Sequence, residues 1–134
     1  MIGLQNFGGF TNRFDDPVNA SLKQWITNKE FDIFGITETN AFWPKIIEKL
    51  QFHNRIKEWW NPNLTKGNFA HNPWDTSNDV KQWGGVAQIS QNQASLRWQG
   101  CKKDPTGQGR WVSQKYWGTK GKMLQVIMAY RPCQ

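Results

Sequence analysis

The sequence predicts one domain of the α/β class, more specifically α+β, and three observations lead to this prediction. The chain has 134 residues, which is enough for one modest core but not for two domains. A strand, a helix and a second strand are predicted in succession within residues 2–36, the pattern of a βαβ unit. From Gly84 onwards the pattern changes to short apolar segments separated by turn residues, which is typical of antiparallel strands.

The βαβ unit begins with a strand at residues 2–7, which Gly8 and Gly9 end. The helix begins with Asp16 as N-cap and Pro17 at its first position, and it closes at residues 28–29. Its apolar residues are spaced so that they share one helical face. These residues are Val18, Leu22, Trp25 and Ile26. Residues 31–36 form the second strand and complete the unit.

The middle of the chain predicts a second helix and a long loop. The helix opens at Trp43 and Pro44 and extends to Lys57, and its apolar side carries Ile46, Ile47 and Leu50. Residues 59–79 are rich in Asn, Pro, Asp and Thr without a clear period, so we expect a surface loop there. Loops of this length often have a function.

Four further strands are predicted in the second half. They cover residues 85–90, 95–100, 111–117 and 123–129. The turn residues between them lie at 103–107 and at 118–121, the second of which predicts a hairpin. Residues 123–129 form the longest apolar run, and we expect them to be a buried strand.

The charge of the chain favours an anionic partner. Seventeen basic residues oppose ten acidic ones, which gives a net charge of +7 and an isoelectric point near 9.7. Nucleic acid is the commonest partner of a basic domain, although a solubilising surface explains the charge equally well. The two cysteines, Cys101 and Cys133, match neither a disulfide framework nor zinc spacing, which favours a reduced compartment. With no signal peptide or apolar span visible, we expect an intracellular protein, in cytoplasm or nucleus, without a membrane partner.

Three predicted strands end in polar residues, namely Asn6, Glu38 and Tyr130. Glu38 is the most informative, because it directly follows the apolar run of residues 33–36 and open α/β sheets bind ligands at such strand ends. A carboxylate, an amide and a phenol together suit a hard cation such as Mg²⁺ and a phosphate. Taken by itself, this segment favours a simpler interpretation, in which Glu38 starts a solvated loop; the strand ends at Asn6 and Tyr130 change that balance.

Several segments resemble the endonuclease/exonuclease/phosphatase superfamily, whose members are DNase-I-like. Residues 4–9 (LQNFGG) resemble its first strand, residues 32–40 (DIFGITETN) its metal-binding strand, and residues 83–90 (WGGVAQIS) a later strand. Gly-Arg-Trp at residues 109–111 and Ala-Tyr-Arg-Pro at residues 129–132 resemble the strands that close the first half of that domain. These details, together with Asp-Pro-Thr-Gly at residues 104–107, look most like retroelement members.

The resemblance covers nearly the whole chain and implies half of a four-layer αβ sandwich. That half would be one mixed, mostly antiparallel sheet with helices on one face, so residues 1–134 would be the N-terminal part of a single domain. The family's later Asp-x-Asn pair, Asp and Asp-His dyad would then be absent. The inner face of the sheet, including residues 86–89 and 123–128, would lack a partner, and the missing C-terminal half or self-association would cover it.

The resemblance also implies roles for the three strand-end residues. Glu38 would ligate Mg²⁺, with Mn²⁺ as the alternative ion, Asn6 would help to position the metal and the scissile phosphate, and Tyr130 would contact the phosphate. The chain would then be a Mg²⁺-dependent phosphodiesterase acting on DNA, most closely a retroelement-type endonuclease, truncated and inactive alone. The alternatives are a non-catalytic, basic, Trp-rich nucleic-acid-binding fragment and a phosphoesterase for small phosphoesters.

Other residues carry weaker expectations. Arg110 and Asn40 are candidates for nucleic-acid contact, although a surface arginine is the simpler interpretation of Arg110. The pair Trp59 and Trp60 suits either base stacking or packing at a helix end. His53 and His71 are expected to be ordinary surface or packing residues. Asp75 and Asp79 are expected to cap turns in the long loop, with a metal site as the alternative. Gly8 stands where many family members carry an Asp or Asn that supports the metal site.

Overall fold

The computed structural model describes residues 1–9, 16–72 and 83–131. Its elements form three layers, with helices on one face of a four-stranded sheet and a three-stranded sheet on the other. This arrangement confirms the mixed α/β class. The expectations for Asp75, Asp79 and Cys133 fall outside the described residues.

The first sheet has the strand order β1-β2-β4-β3. Its strands are β1 (Ile2–Asn6), β2 (Ile33–Thr37), β3 (Thr65–Ala70) and β4 (Val86–Gln91). β1 and β2 are parallel, and the helix α1 (Pro17–Asn28) connects them, so the predicted βαβ unit is confirmed. The Asp16 side chain accepts a hydrogen bond from the amide of Val18, as expected for the N-cap.

The second sheet consists of β5 (Trp98–Lys103), β6 (Trp111–Trp117) and β7 (Met123–Ala129), all antiparallel. A short helix, α3 (Asn92–Leu96), leads from β4 into this sheet. The predicted hairpin at residues 118–121 is present and is closed by a 2.7 Å hydrogen bond from Gly118 N to Lys122 O. The strands therefore divide between two sheets, whereas the sequence predicted one.

The second predicted helix is shorter than expected. Only α2 (Phe52–Trp59) is α-helical, and two 3₁₀ turns, Trp43–Lys45 and Glu48–Leu50, precede it. Gln51 explains the break, because its Nε2 donates hydrogen bonds to the carbonyl oxygens of Trp43 and Ile46, each at 3.1 Å. A side chain thus satisfies carbonyls that a continuous helix would satisfy with backbone amides.

Two further predictions of secondary structure, for residues 59–79 and 95–100, were wrong in part. The predicted loop of residues 59–79 contains β3, whose buried residues Thr65 and Asn68 are polar and therefore hide the alternation that marks a strand. The predicted strand at residues 95–100 begins only at Trp98, because the preceding residues form α3. Ser95 Oγ donates to the carbonyl of Asn92 at 2.9 Å within that helix.

The main core lies between the helices and the first sheet. Its fully buried members include Ile26, Phe34, Ile36, Trp43, Phe52, Ile56 and Ile89. From the predicted face of α1, Leu22 and Ile26 are buried, whereas Val18 and Trp25 remain 48% and 37% exposed. This core packs against β2 and β4 in the centre of the sheet; β2 ends and β4 begins at the candidate site described below.

The other face of the first sheet packs against the second sheet, so the expectation that this face lacks a partner was wrong. Val86 and Val112 are fully buried there and Met128 is 5% exposed. Amides and hydroxyls share this interface. Gln114 Nε2 donates to Asn68 Oδ1 at 2.7 Å, and Tyr116 OH donates to Gln114 Oε1 at 2.7 Å. Because these groups bond mainly to each other, the two sheets have a defined position relative to each other.

One margin of the sandwich remains apolar and exposed. Within the part of the chain that the structure describes, β1 and β7 each have a neighbouring strand on one side only. The apolar margin consists of Ile2, Leu4, Met123, Leu124 and Ile127, which are 48–57% exposed. The prediction that the last strand is buried was therefore wrong for most of its length. None of the helices in the described ranges is long and apolar enough to cross a membrane.

Candidate active site

The centre of the candidate site is a contact between Glu38 and Tyr130. Glu38 directly follows β2 in the first sheet and Tyr130 directly follows β7 in the second. The Tyr130 hydroxyl donates a 2.9 Å hydrogen bond to Glu38 Oε1, and both residues are half-buried. The structure therefore brings these two predicted residues together at one rim of the sandwich.

The backbone at Glu38 turns sharply. Its φ of 56° lies in the left-handed region, which costs free energy for a residue with a side chain. The following residues are held by the loop before β4. Asn40 N donates to Gly84 O, and Gly84 N donates back to Asn40 Oδ1, both at 2.8 Å. These bonds compensate for the strained turn and position Glu38 at the rim.

Gly85 shows why this loop requires glycine. Its φ is 88°, and a Cβ built there would lie 2.5 Å from Thr39 Oγ1 and 3.1 Å from Ala70 O. The loop before β4 can therefore approach the end of β2 only without a side chain at this position. The Gly-Gly pair identified in the sequence thus has a structural role at the site.

Asn6 ends the neighbouring strand at the same rim. It is paired with Thr37 in the parallel register, and Phe7 N donates to Thr37 O at 3.0 Å. Its Oδ1 accepts a 3.1 Å hydrogen bond from Gly8 N, which closes a small turn. The residue is exposed, so its amide is accessible at the rim one strand away from Glu38.

Arg110 supports Tyr130 through its backbone. Arg110 O accepts a 2.8 Å hydrogen bond from Tyr130 N, and Arg110 N donates to Asp104 Oδ2 at 3.0 Å. Asp104 is buried, which alone would raise the pKa of its carboxyl, but hydrogen bonds from Thr106 and from the Arg110 amide hold that pKa below its usual value. The Arg110 side chain is exposed, as a phosphate contact would need.

Asn40, the other candidate for nucleic-acid contact, is only 4% exposed. Its carboxamide oxygen is engaged by Gly84, and a Cβ at Gly9 would come within 3.5 Å of its side chain. Like Glu38, it has a left-handed backbone, with φ of 49°. Asn40 lies in the loop after β2 and contacts two other loops, the one after β1 through Gly9 and the one before β4 through Gly84.

His71 is a rim residue whose location the sequence did not predict. It follows β3, the strand that was missed, and a Cβ at Gly85 would lie 3.8 Å from its Cα. Its ring packs edge-on against Phe42 at 5.2 Å. Burial, and then the nearby Lys103, lower the pKa of His71, so its imidazole is neutral at pH 7. His53 lies on α2, and its ring stacks on Phe69.

The tryptophan pair at the end of α2 is a packing pair. Trp59 and Trp60 meet at 5.5 Å with an interplanar angle of 81°, and both pack against the main core. Trp60 Nε1 donates to Thr27 Oγ1 at 3.0 Å, which ties α2 to α1. Stacking on nucleic-acid bases is not needed to explain them.

The oxygen donors at the rim fit a hydrated hard cation. Glu38 supplies a carboxylate of which Oε1 is hydrogen-bonded to Tyr130, and Asn6 supplies an amide. Within the described residues no group of three or more His, Cys, Asp or Glu side chains could hold a metal ion. Mg²⁺ commonly uses one or two carboxylates and keeps several waters, so this donor set suits it.

Comparisons with known proteins identify the fold. No protein-family model matches the chain, and no curated protein matches it either. Among solved structures, the chain is similar to an AP endonuclease from Archaeoglobus fulgidus, with a TM-score of 0.56 and 19% sequence identity. The match covers 96% of this chain and 40% of that one, so the chain spans less than half the length of that structure. That endonuclease has a DNase-I-like fold, and the likeness shows that the present chain is an α/β unit of the same fold.

Proposed function

We propose that this chain carries part of a Mg²⁺-dependent phosphodiesterase site that acts on DNA, of the kind found in retroelement-type endonucleases. The single observation that carries the proposal is the hydrogen bond between Tyr130 and Glu38, at a rim where two sheets end. The similarity to an AP endonuclease supports a nuclease-like fold. The net charge of +7 supports an anionic substrate.

The roles of the residues follow from their chemistry. Glu38 and Asn6 would hold a hydrated Mg²⁺ or Mn²⁺ ion, which when bound stabilises charge on the phosphate and the leaving oxygen. Tyr130 has a single hydroxyl proton, which it donates to Glu38 in the free protein. A phosphate oxygen that accepts this proton instead would be held next to Glu38. Arg110 would supply a positive charge for a flanking phosphate.

We further propose that the site is completed by groups outside the described residues, either in a C-terminal half of the domain or in a second copy of the chain. The exposed apolar margin of β1 and β7 supports this, because such a surface is stabilised when a partner covers it. The match to only 40% of the AP endonuclease chain supports it as well. We therefore expect the 134 residues alone to bind metal and DNA with little turnover.

The test combines Mn²⁺ binding with nicking of supercoiled plasmid. We expect Mn²⁺ binding, measured by electron paramagnetic resonance, to be lost in Glu38→Ala and kept in Glu48→Ala, an exposed carboxylate outside the rim. Equal binding by the wild type and both variants would overturn the proposed metal site. Nicking that requires Mg²⁺ and is lost in Glu38→Ala would instead show that the 134 residues form a working site without groups from elsewhere.

The alternative is a non-catalytic nucleic-acid-binding fragment, which the scattered basic residues favour. In that case DNA binding would weaken steeply with salt but would not respond to EDTA or to Glu38→Ala. A phosphoesterase for small substrates would release phosphate from a small phosphomonoester with Mg²⁺. These two results separate the three functions.

A further inference from the structure

A cleft of about 300 Å³ lies at the edge of the sandwich opposite the apolar margin. Its walls come from α2 and from the edge strands β3 and β5. His53, Phe69, Cys101, Lys102 and Lys103 are among its lining residues. This volume is at the lower end of the range for small-ligand sites, so the cleft suits one heterocyclic ring and its substituent.

One wall of the cleft is aromatic and well anchored. The rings of His53 and Phe69 are stacked, with centroids 5.8 Å apart and planes 20° apart. Phe69 packs in turn against the buried Trp43 at 5.2 Å. Burial, followed by the charge of Lys57, lowers the pKa of His53, so its ring is neutral at pH 7. A neutral, flat aromatic pair is a surface on which a nucleobase stacks.

The floor of the cleft stays open because of two β3 residues. Gly67 has no side chain, and a Cβ there would meet Ile56 Cδ1 at 2.3 Å, so α2 lies directly on the strand. Asn68 turns its side chain towards the second sheet, where its Oδ1 accepts from Gln114 at 2.7 Å. Neither residue therefore fills the cleft from below.

The cleft has a cationic margin that leads towards the candidate active site. Lys103, the last residue of β5, is exposed and lines the cleft. Lys102 precedes it in the strand, so its side chain points to the opposite face of the sheet. Lys103 also lines a smaller cavity of about 80 Å³ together with His71 and Asp104. Because Lys103 lines both cavities, it lies between them.

We propose that this cleft binds a nucleobase that carries an adjacent phosphate. The base stacks on the wall formed by His53 and Phe69, and the phosphate pairs with Lys103. The proposal goes beyond the proposed function and does not rest on it, because Glu38, Asn6 and Tyr130 do not line the cleft. This base and phosphate can belong either to a free nucleoside monophosphate or to a nucleotide within a single-stranded nucleic acid.

The test is a titration followed by the ring C–H resonances of His53 in NMR spectra. The probes are AMP, adenosine, inorganic phosphate and a single-stranded tetranucleotide of deoxyadenosine. We expect AMP to shift the His53 resonances saturably, with an affinity at least about ten-fold higher than that of adenosine or phosphate. If the tetranucleotide binds more tightly than AMP, the ligand is single-stranded nucleic acid. If it binds no more tightly, the ligand is the free nucleotide.

The variants make the outcome decisive. The variant Lys103→Ala should weaken AMP binding about ten-fold, and because the residue is exposed the fold is retained. Lys120→Ala, in the hairpin turn, is the matched control and should bind as the wild type does. Glu38→Ala should also leave AMP binding unchanged, which separates this site from the proposed metal site. Absence of a His53 shift with AMP and the tetranucleotide, or AMP affinity unchanged in Lys103→Ala, would overturn the proposal.

Discussion

The Tyr130 hydroxyl donates to Glu38 Oε1 at 2.9 Å, although 92 residues separate the two in sequence. The bond joins the end of β2 to the end of β7 and therefore links the first sheet to the second. The candidate site consequently exists only where the two sheets are correctly packed. The contact between Glu38 and Tyr130 should therefore affect the free energy of unfolding as well as metal binding.

A double-mutant cycle should detect the bond. We expect Tyr130→Phe and Glu38→Ala to show a coupling free energy of about 1 kcal/mol in urea unfolding, since a half-exposed hydrogen bond typically contributes about that much. As control, Tyr130→Phe combined with Glu48→Ala should be additive to within about 0.5 kcal/mol. Coupling equal in the two cycles would contradict a direct bond.

Asn40 should matter for stability through its side-chain oxygen. Asn40→Ala removes the acceptor for Gly84 N and places alanine at a φ of 49°, so we expect a loss of about 2 kcal/mol in the free energy of unfolding. Asn40→Asp keeps an acceptor oxygen and tolerates the same backbone, so it should lose about half of that or less. The measurement is urea unfolding followed by circular dichroism, and equal losses in both variants would contradict this role.

The interface between the sheets should be sensitive to alkali. Burial raises the pKa of Tyr116 to about 12, against the hydrogen bonds from Ser90 and Gln88, whereas the unfolded value is about 10. Because the folded state holds this proton more tightly, the contribution of Tyr116 is fully present below about pH 10 and is lost as the pH rises towards about 12. The loss should amount to about 2–3 kcal/mol at most.

The check is urea unfolding at several pH values in the wild type and in Tyr116→Phe. Tyr116→Phe should be less stable by about 1 kcal/mol at neutral pH, since it loses hydrogen bonds. Its unfolding free energy should then fall less steeply than that of the wild type above about pH 10. Parallel slopes in the two proteins would show that Tyr116 titrates normally.

The apolar margin should cause self-association when nothing else covers it. The β7 segment has no charged residue, so nothing opposes pairing of its free edge with a second copy. We expect sedimentation velocity to show a concentration-dependent increase in mass, which Leu124→Lys or Ile127→Lys abolishes. Gln24→Lys on the exposed side of α1 adds the same charge elsewhere and should have no effect. A strictly monomeric wild type at high concentration would contradict the expectation.

The sequence predicted well those elements whose signal is local. Asp16 and Pro17 mark the start of α1, and the apolar run of residues 33–36 marks β2. The sequence did not predict the elements whose stabilising contacts come from residues far away along the chain. β3 was missed because Asn68 is buried against Gln114, which is 46 residues away. The second sheet was not separated from the first for the same reason, since strand order depends on such long-range contacts.

The candidate site was predicted to a similar extent. Glu38, Asn6 and Tyr130 were identified because each follows an apolar strand, and the structure brings Glu38 and Tyr130 into contact. The rim position of His71 was not predictable, because it depends on the missed strand β3. The structural role of Asn40 was also hidden, because a left-handed backbone with an amide bonded to Gly84 leaves no periodic pattern.

The position of the two central residues in different sheets has a consequence for biosynthesis. Glu38 belongs to a βαβ unit that forms from residues close in sequence, whereas Tyr130 follows the last strand of the described chain. Contacts across such long separations form late, because the entropy of closing the loop opposes them. A ribosome-bound chain therefore acquires its acidic residue long before the phenol that orients it. The contact that defines the candidate site is thus absent until the last described strand has been made and has folded onto the first sheet.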